Sequence, residues 1–180
     1  AKENFPVDLQ ESLVDKKVLI VGHGTIGTQI GKLCEAFGMN VSFFDRGDSL
    51  AEKSKDSDLI INSLNCNTSS KNLLNKDFFA KLKTGAYYIT FARPYTYDID
   101  GLIAAIDSGV VAGAGIDCDP EDFGDTTNDF YQKCLSNEKI LVTPHIAFST
   151  KQAVVGGAEV AVKNIEAFVA GKPQNILAKV

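Results

Sequence analysis

The chain has 180 residues and a formal net charge of −5 at pH 7, with 44% hydrophobic and 23% charged residues. This length suits one domain with a single core, and the negative charge argues against nonspecific binding of nucleic acid. No apolar run approaches the roughly 20 residues of a membrane span. The four cysteines are widely spaced and form no CxxC pair, so we expect reduced thiols, no metal site and a cytoplasmic location.

The first predicted element is a buried strand that leads into a glycine-rich turn. Residues 17–21 form an apolar run typical of a central parallel strand. The next residues have the spacing G-x-G-x-x-G, in which the first glycine makes the turn, the second admits a pyrophosphate and the third lets a helix pack on the strand. Amides at the start of that helix then face the anion. The residues predicted at this dinucleotide site are Gly22, Gly24, Thr25, Ile26 and Gly27.

A helix and a second strand follow the glycine-rich turn. Apolar residues at helical spacing predict a helix whose apolar stripe packs on the strand and which ends at Gly38. This stripe consists of Ile26, Ile30, Leu33, Cys34 and Phe37.

The second strand, 40–44, ends at Asp45, which lies 18 positions beyond Gly27. An acidic residue at this place accepts hydrogen bonds from the ribose hydroxyls and repels a 2′-phosphate, so it favours NAD over NADP. Arg46 leaves NADP as the alternative, because an arginine here can hold a 2′-phosphate.

The rest of the chain continues the alternation of strands and helices. Further strands are predicted at 58–63, 86–91, 110–116 and 140–142, with helices at 75–83, 99–106 and 149–170. The polar stretch 123–138 is predicted to be irregular with one helical turn. This pattern indicates an α/β fold with a doubly wound parallel sheet. We expect one domain over 1–180, with a lead-in at 1–16, the sheet and helices at 17–147, and a C-terminal helix and tail at 148–180.

Loops at the carboxyl ends of parallel strands line the ligand crevice of such a sheet. Three of these loops carry polar or aromatic residues that follow directly after a strand. The candidate residues in these loops are Leu64, Asn65, Ser70, Phe91, Ala92, Arg93 and Asp117. A fourth loop contains His145 in the sequence Thr143-Pro144-His145. The other histidine, His23, is expected to point to solvent.

Five motifs occur together in a characteristic order: Gly22–Gly27, Phe44–Arg46, Ala92–Arg93, Gly115–Asp117 and Thr143–Ile146. In this order and spacing they resemble the NAD-binding domain of the D-isomer specific 2-hydroxyacid dehydrogenases, over residues 13–175. The resemblance implies a Rossmann fold, NAD as cofactor, and reversible hydride transfer between the nicotinamide and C2 of a 2-hydroxy or 2-keto acid.

The resemblance also implies roles for individual residues. Arg93 would pair with the substrate carboxylate and polarise its carbonyl, and His145 would exchange the hydroxyl proton. Asp117 would lie near the nicotinamide. An acid beside the histidine would raise its pKa and fix its tautomer. Asp122 stands at the family's position for this acid, and the neighbouring Glu121 is the alternative.

The sequence departs from the family pattern in several places. Pro94 stands where a glycine usually follows the catalytic arginine, and it biases Arg93 toward an extended backbone. Asn65 replaces a common proline, and Phe91 replaces a small residue, which changes the shape of the nicotinamide pocket. The family's second domain, which closes over the substrate, has no counterpart here, so we expect turnover to need this missing substrate-binding domain. Family members usually form dimers through the NAD domain, which implies a homodimer.

Two alternatives to a dehydrogenase domain follow from the same residues. One is a noncatalytic module of the same ancestry that senses NAD or binds a protein, which the departures at Pro94 and Asp122 motivate. The other is an unrelated doubly wound enzyme that uses the glycine-rich turn for another nucleotide, such as an S-adenosyl compound.

Overall fold

Six parallel strands form one sheet in the computed structural model, which describes residues 11–117 and 127–176. Each predicted strand is present, with its bounds within one residue of the prediction. The strands are β1 (Lys17–Val21), β2 (Asn40–Phe44), β3 (Leu59–Asn62), β4 (Ala86–Thr90), β5 (Val111–Asp117) and β6 (Ile140–Thr143). They lie in the order β2-β1-β3-β4-β5-β6, and all neighbouring pairs are parallel. The predicted doubly wound parallel sheet is confirmed.

Helices lie between successive strands and after the last strand. They are α1 (Thr25–Ala36), α2 (Leu50–Ser54), α3 (Lys76–Ala80), α4 (Ile99–Asp107), α5 (Asp129–Leu135) and α6 (Lys151–Val169). A short 3-10 turn, Pro94–Thr96, follows β4. The helix α5 is longer than the single turn predicted near its position. No helix within 11–117 or 127–176 combines the length and the apolar character that a membrane crossing requires.

The chain divides into two compact units. The sheet and α1 to α5 belong to Ala1–Pro144, and α6 belongs to His145–Val180. Within the second unit, α6 begins at a side-chain cap, where Thr150 Oγ1 accepts a hydrogen bond from Ala153 N.

The strand β1 lies at the centre of the core. Residues 18–21 have no exposed surface, which confirms the predicted burial on both faces. Because successive side chains of a strand point to opposite faces, Leu19 and Val21 belong to one apolar cluster, and Val18 and Ile20 belong to another. The sheet is therefore covered on both sides.

The helix α1 packs on the sheet through its small residues, which confirms the prediction for Gly27 and Cys34 and corrects the rest of the predicted apolar stripe. The buried residues of α1 are Gly27, Gly31 and Cys34, and Ile30 is half-buried. A Cβ atom on Gly31 would lie 2.6 Å from Cζ of the Phe43 ring, so a larger residue here would have to displace that ring. The predicted stripe residues Ile26, Leu33 and Phe37 are instead 62–63% exposed.

A buried hydrogen-bond network closes the carboxyl end of β3. Asn62 is fully buried, and its amide nitrogen donates to Tyr88 Oη and Thr96 Oγ1, both at 3.0 Å. Its amide oxygen accepts from Leu64 N at 3.1 Å. A buried polar side chain with this many partners holds its surroundings in one arrangement. Asn62 therefore holds the start of the loop that follows β3.

Candidate dinucleotide site

The candidate site lies where the strand order reverses. From β1 the chain moves to β2 on one side, and from β3 onward it continues on the other side, so the carboxyl ends of β1 and β3 lie beside a topological switch point. Ligands of open α/β sheets bind in the crevice outside this point. The glycine-rich turn follows β1, and Ser63 and Leu64 follow β3.

Close packing requires two glycines of the turn. Gly22 has a φ of +115°, and a Cβ atom on it would lie 2.7 Å from the backbone carbon of Ser63. A Cβ atom on Gly27 would lie 1.9 Å from the carbonyl oxygen of Gly22, an impossible contact. A side chain at Gly22 would therefore separate the turn from the end of β3, and a side chain at Gly27 would separate α1 from the end of β1.

Gly24 is different, because no atom of the protein lies within 4 Å of a Cβ built on it. Its backbone is extended, with φ −92° and ψ −165°, which any residue adopts. Neither packing nor backbone conformation therefore demands a glycine here. The space beside Gly24 fits the close approach of a ligand to the backbone, which is the role that the motif predicts for this position.

The N-terminus of α1 has no side-chain cap. Among the α-helices of the described ranges, each of α2 to α6 begins at a side chain that accepts a hydrogen bond from its first turn. By contrast, α1 begins at Gly24, which has no such group, and its first turn contains no acidic residue. The first amides of a helix have no partner within the helix and carry partial positive charge. The arrangement at Thr25, Ile26 and Gly27 is therefore suited to an anion such as a pyrophosphate.

Ser63 supports the turn, and sequence reasoning missed it. Its hydroxyl donates to the carbonyl oxygen of Gly22 at 2.8 Å, and its backbone amide donates to Val21 O at 2.9 Å. These bonds tie the end of β3 to the glycine-rich turn. The available signal was a serine directly after a buried strand at the switch point.

Asp45 stands at the end of β2, as predicted. Its backbone amide donates to Asp48 Oδ2 at 2.9 Å, and Asp48 pairs with Lys53 at 3.2 Å. The bond from the Asp45 amide, together with Lys53, lowers the pKa of the Asp48 carboxyl. The Asp45 side chain is 58% exposed, and its neighbour Arg46 is also exposed. The backbone around the proposed ribose-binding carboxylate is thus held by a local ion pair.

His23 is exposed, as expected, with 41% of its side chain accessible, but two neighbouring side chains hold its ring. Its ring stacks on Phe43 with 3.9 Å between ring centroids and an angle of 10° between ring planes. Its Nδ1 atom lies 3.0 Å from Asp45 Oδ1. The aromatic surface of Phe43 and the carboxylate of Asp45 together hold the ring against the end of β2.

The loop after β3 contains three predicted cofactor residues in different environments. Leu64 is half-buried and Asn65 is exposed. Ser70 is only 2% exposed, and its hydroxyl lies within hydrogen-bonding distance of Asn65 O, Asn67 O and Asn67 N. The geometry therefore favours a role for Ser70 in supporting the loop. Leu64 and Asn65 are more accessible and are better placed to contact a cofactor directly.

The turn after β4 presents Arg93 with an extended backbone. Its φ is −65° and its ψ is 150°, as expected for the residue before Pro94. The Arg93 carbonyl accepts from Thr96 N and Thr96 Oγ1, at 3.0 and 2.9 Å. Phe91 is 43% exposed, whereas Ala92 is 6% exposed. The side chain of Arg93 is exposed at the same edge of the sheet as the glycine-rich turn.

The ends of β5 and β6 are joined by a short hydrogen bond. Thr143 Oγ1 donates to Asp117 Oδ1 at 2.6 Å, and Asp117 is 9% exposed. His145 has a φ of +49°, which is uncommon for a residue with a side chain, and its ring centroid lies 5.5 Å from that of Phe148. His145 and Arg93 belong to different units, so their common place at the substrate crevice stays a prediction. The candidate acids Glu121 and Asp122 lie outside the described residues.

A family model matches this chain over residues 3–147. The matching family is the D-isomer specific 2-hydroxyacid dehydrogenase, NAD binding domain. The chain belongs to this family. Membership confirms the resemblance predicted from the five motifs, and it makes NAD the cofactor of the domain type. The open N-terminus of α1, the space beside Gly24 and the carboxylate of Asp45 fit that cofactor.

Relatives and solved structures agree with this assignment. The chain is 35% identical to a glycerate dehydrogenase from Methylorubrum extorquens in an alignment of length 163. This alignment covers 88% of this chain and 51% of that protein. A D-lactate dehydrogenase structure from Treponema pallidum matches with a TM-score of 0.86 and 28% identity, covering 96% of this chain and 58% of that one. A D-lactate dehydrogenase from Aquifex aeolicus complexed with NAD and lactic acid matches with a TM-score of 0.82 and 28% identity, covering 91% and 56%. The chain spans about half the length of these relatives.

Replacing glycines of the turn by alanine separates packing from ligand binding. Gly24→Ala adds a methyl group in open space, so we expect the free energy of unfolding to change by less than about 1 kcal/mol. Because this methyl group would occupy the space proposed for the ligand, NADH binding should weaken about tenfold or more. Gly27→Ala forces α1 away from Gly22 O, so we expect a loss of roughly 2 kcal/mol or more in the free energy of unfolding. Urea denaturation and NADH fluorescence titration measure the two quantities.

Gly156→Ala in α6 is the matched control, because its added methyl group also meets open space. This variant should retain NADH affinity, and its stability should not fall and should rise by up to about 1 kcal/mol, because alanine is more favourable than glycine in a helix interior. Unchanged NADH binding by Gly24→Ala would contradict a ligand site beside Gly24.

Proposed function

We propose that this chain binds NAD(H) at the switch point and forms the cofactor half of a site for hydride transfer between a 2-hydroxy acid and a 2-keto acid. The observation that carries the proposal is the N-terminus of α1. It has no side-chain cap, and open space lies beside Gly24. A dinucleotide pyrophosphate has the charge and the compactness that this arrangement accommodates.

The carboxylate of Asp45 supports NAD rather than NADP. It stands at the end of β2, where it accepts hydrogen bonds from ribose hydroxyls and repels a 2′-phosphate. The neighbouring Arg46 counteracts part of this repulsion through its positive charge. The solved complex of the Aquifex aeolicus relative with NAD and lactic acid supports the same cofactor for this chain.

The catalytic proposal assigns one step to each of two side chains. The nicotinamide supplies or accepts the hydride when NAD is bound. Arg93, exposed after β4, pairs with the substrate carboxylate and polarises the carbonyl at C2. His145 donates a proton to the carbonyl oxygen in reduction and removes it in oxidation. The uncommon positive φ of His145 supports a special role, because strained backbone is concentrated at functional sites.

The acid that assists His145 is proposed on the family resemblance. Asp122 or the neighbouring Glu121 would raise the pKa of the histidine and hold its tautomer. On the cofactor side, Leu64, Asn65, Phe91, Ala92 and Asp117 are proposed to border the nicotinamide ring and its ribose.

We also propose partners and a location for the chain. Turnover requires the substrate-binding domain of the family, which closes over the reacting atoms and excludes water. A homodimer is supported by the exposed apolar side chains Ile26, Leu33 and Phe37 on α1. The free thiols of Cys34 and Cys66 fit a reducing compartment such as the cytoplasm.

Fluorescence titration tests the cofactor proposal. We expect saturable binding of NADH, and NADPH binding weaker by about tenfold or more, because Asp45 repels the 2′-phosphate. Asp45→Ser should weaken NADH binding and narrow the difference between the two cofactors. The absence of saturable NADH binding at millimolar concentration would contradict the proposal. Saturable binding of an S-adenosyl compound that NADH does not compete with would favour a site for a different nucleotide.

Assays of turnover test the catalytic proposal separately. We expect the 180-residue chain to bind NADH without reducing 2-keto acids at an appreciable rate. In a protein that joins this segment to a substrate-binding domain, His145→Ala should lower kcat about 10²-fold to 10⁴-fold and leave NADH affinity unchanged. Robust turnover by the chain alone would contradict the need for the second domain. Binding of NADH without turnover by the longer protein would favour the noncatalytic alternative.

A further inference from the structure

We propose that His23 is a positioning residue for Asp45, and that its protonation state sets how strongly the site discriminates NADH from NADPH. The proposal deepens the proposed function, since it rests on NAD(H) binding at the end of β2. It assigns a role to a side chain within the glycine-rich turn that the motif itself leaves unspecified.

Two contacts hold the His23 ring in one orientation. One face stacks on Phe43, with 3.9 Å between centroids and ring planes 10° apart. The Nδ1 atom lies 3.0 Å from Asp45 Oδ1 and 3.3 Å from Asp45 Oδ2. Because an ionised carboxylate only accepts hydrogen bonds, Nδ1 carries the hydrogen and donates it to Asp45. The ring thus links the turn after β1 to the end of β2, the two segments that a bound dinucleotide spans.

This link orders the Asp45 side chain before a ligand arrives. The backbone of Asp45 is held by the bond from its amide to Asp48, and the carboxylate is held by His23. A carboxylate has about four acceptor directions, so the bond from one histidine leaves acceptors for ribose hydroxyls. Holding a group in its binding orientation reduces the entropy lost when the ligand binds. His23 should therefore strengthen NADH binding through Asp45.

The same link makes the charge at this position adjustable. The charged partner of His23 is the carboxylate of Asp45, which is followed by Arg46 and by the ion pair between Asp48 and Lys53 of α2. The first turn of α1, which follows His23, contains no acidic residue. Among these groups, only the histidine belongs to a residue type that exchanges a proton near neutral pH. A protonated His23 offsets the negative charge of Asp45 and leaves Arg46 able to attract a 2′-phosphate.

Acidification should therefore reduce the preference for NADH over NADPH. The 2′-phosphate of NADPH itself gains a proton near a pH of about 6, which shifts affinity in the same direction. A variant that cannot be protonated at position 23 is needed to separate the two effects. His23→Phe retains an aromatic ring that can stack on Phe43, and it has neither a titratable group nor a hydrogen-bond donor.

The experiment measures dissociation constants of NADH and NADPH for the full 180-residue chain at about pH 8 and about pH 6, on either side of the ordinary histidine pKa. Wild type, His23→Phe, Asp45→Ala and the double variant are compared. We expect His23→Phe to weaken NADH binding severalfold at the higher pH in the wild-type background. In the Asp45→Ala background it should have no further effect, because the histidine acts through that carboxylate.

The pH dependence gives the second expected result. Between the two pH values, the ratio of the NADPH constant to the NADH constant should fall at least about threefold more in wild type than in His23→Phe. His23→Gln retains an N–H donor, so it should recover much of the NADH affinity of wild type. Because glutamine does not titrate, the ratio of the two cofactor constants should depend on pH as it does in His23→Phe. The glutamine variant also provides the test if the phenylalanine variant fails to fold.

Two outcomes would overturn the proposal. One is equal pH dependence of the cofactor ratio in wild type and in the variants at position 23. The other is that His23→Phe weakens NADH binding by the same factor in the Asp45→Ala background as in wild type. That result would show that His23 acts independently of Asp45. A wild-type chain that does not bind NADH overturns the proposed function itself, and the titration at the higher pH identifies that case.

Discussion

The close contact between the first turn of α1 and the end of β1 is the constraint on which the site depends. A single added carbon on Gly27 would lie 1.9 Å from the Gly22 carbonyl oxygen, so this approach exists only with glycine. It places the uncapped start of α1 directly at the carboxyl end of a fully buried strand. Ser63 reinforces the arrangement by donating to that same carbonyl oxygen. The amides proposed to bind the anion are consequently supported by a fully buried strand.

Charge is distributed unevenly around the contact between α1 and β1. Partial positive charge at the start of α1 suits a pyrophosphate, and the carboxylate of Asp45 suits the adenosine ribose. Asp48 and His23 hold Asp45 from its backbone and from its side chain, respectively. These proposed cofactor residues all belong to one unit, Ala1–Pro144. Arg93, at the end of β4, is exposed on the same edge of that unit.

The sequence predicted the strands, the glycine-rich turn and Asp45, because buried parallel strands and tight turns depend on local composition. It predicted the close packing of Gly27 and the burial of Cys34, but apolar periodicity did not reveal the contact of Gly31 with the sheet, and it placed the exposed residues Ile26, Leu33 and Phe37 on the packing face. The contacts of His23 and Ser63 could not be predicted from local pattern. They join residues 22 and 41 positions apart, and their partners become neighbours only through the register of β1 with β2 and β3.

The most direct test of the dinucleotide site is a titration of the isotope-labelled chain with NADH, followed through backbone amide resonances. Binding at the start of α1 predicts that the largest shifts occur at Thr25, Ile26 and Gly27, whose amides have no helical partner. The amides of Gly101 and Ala153, which side chains already cap in α4 and α6, should move little. Saturable binding that leaves the α1 amides unshifted and moves resonances elsewhere would contradict the site.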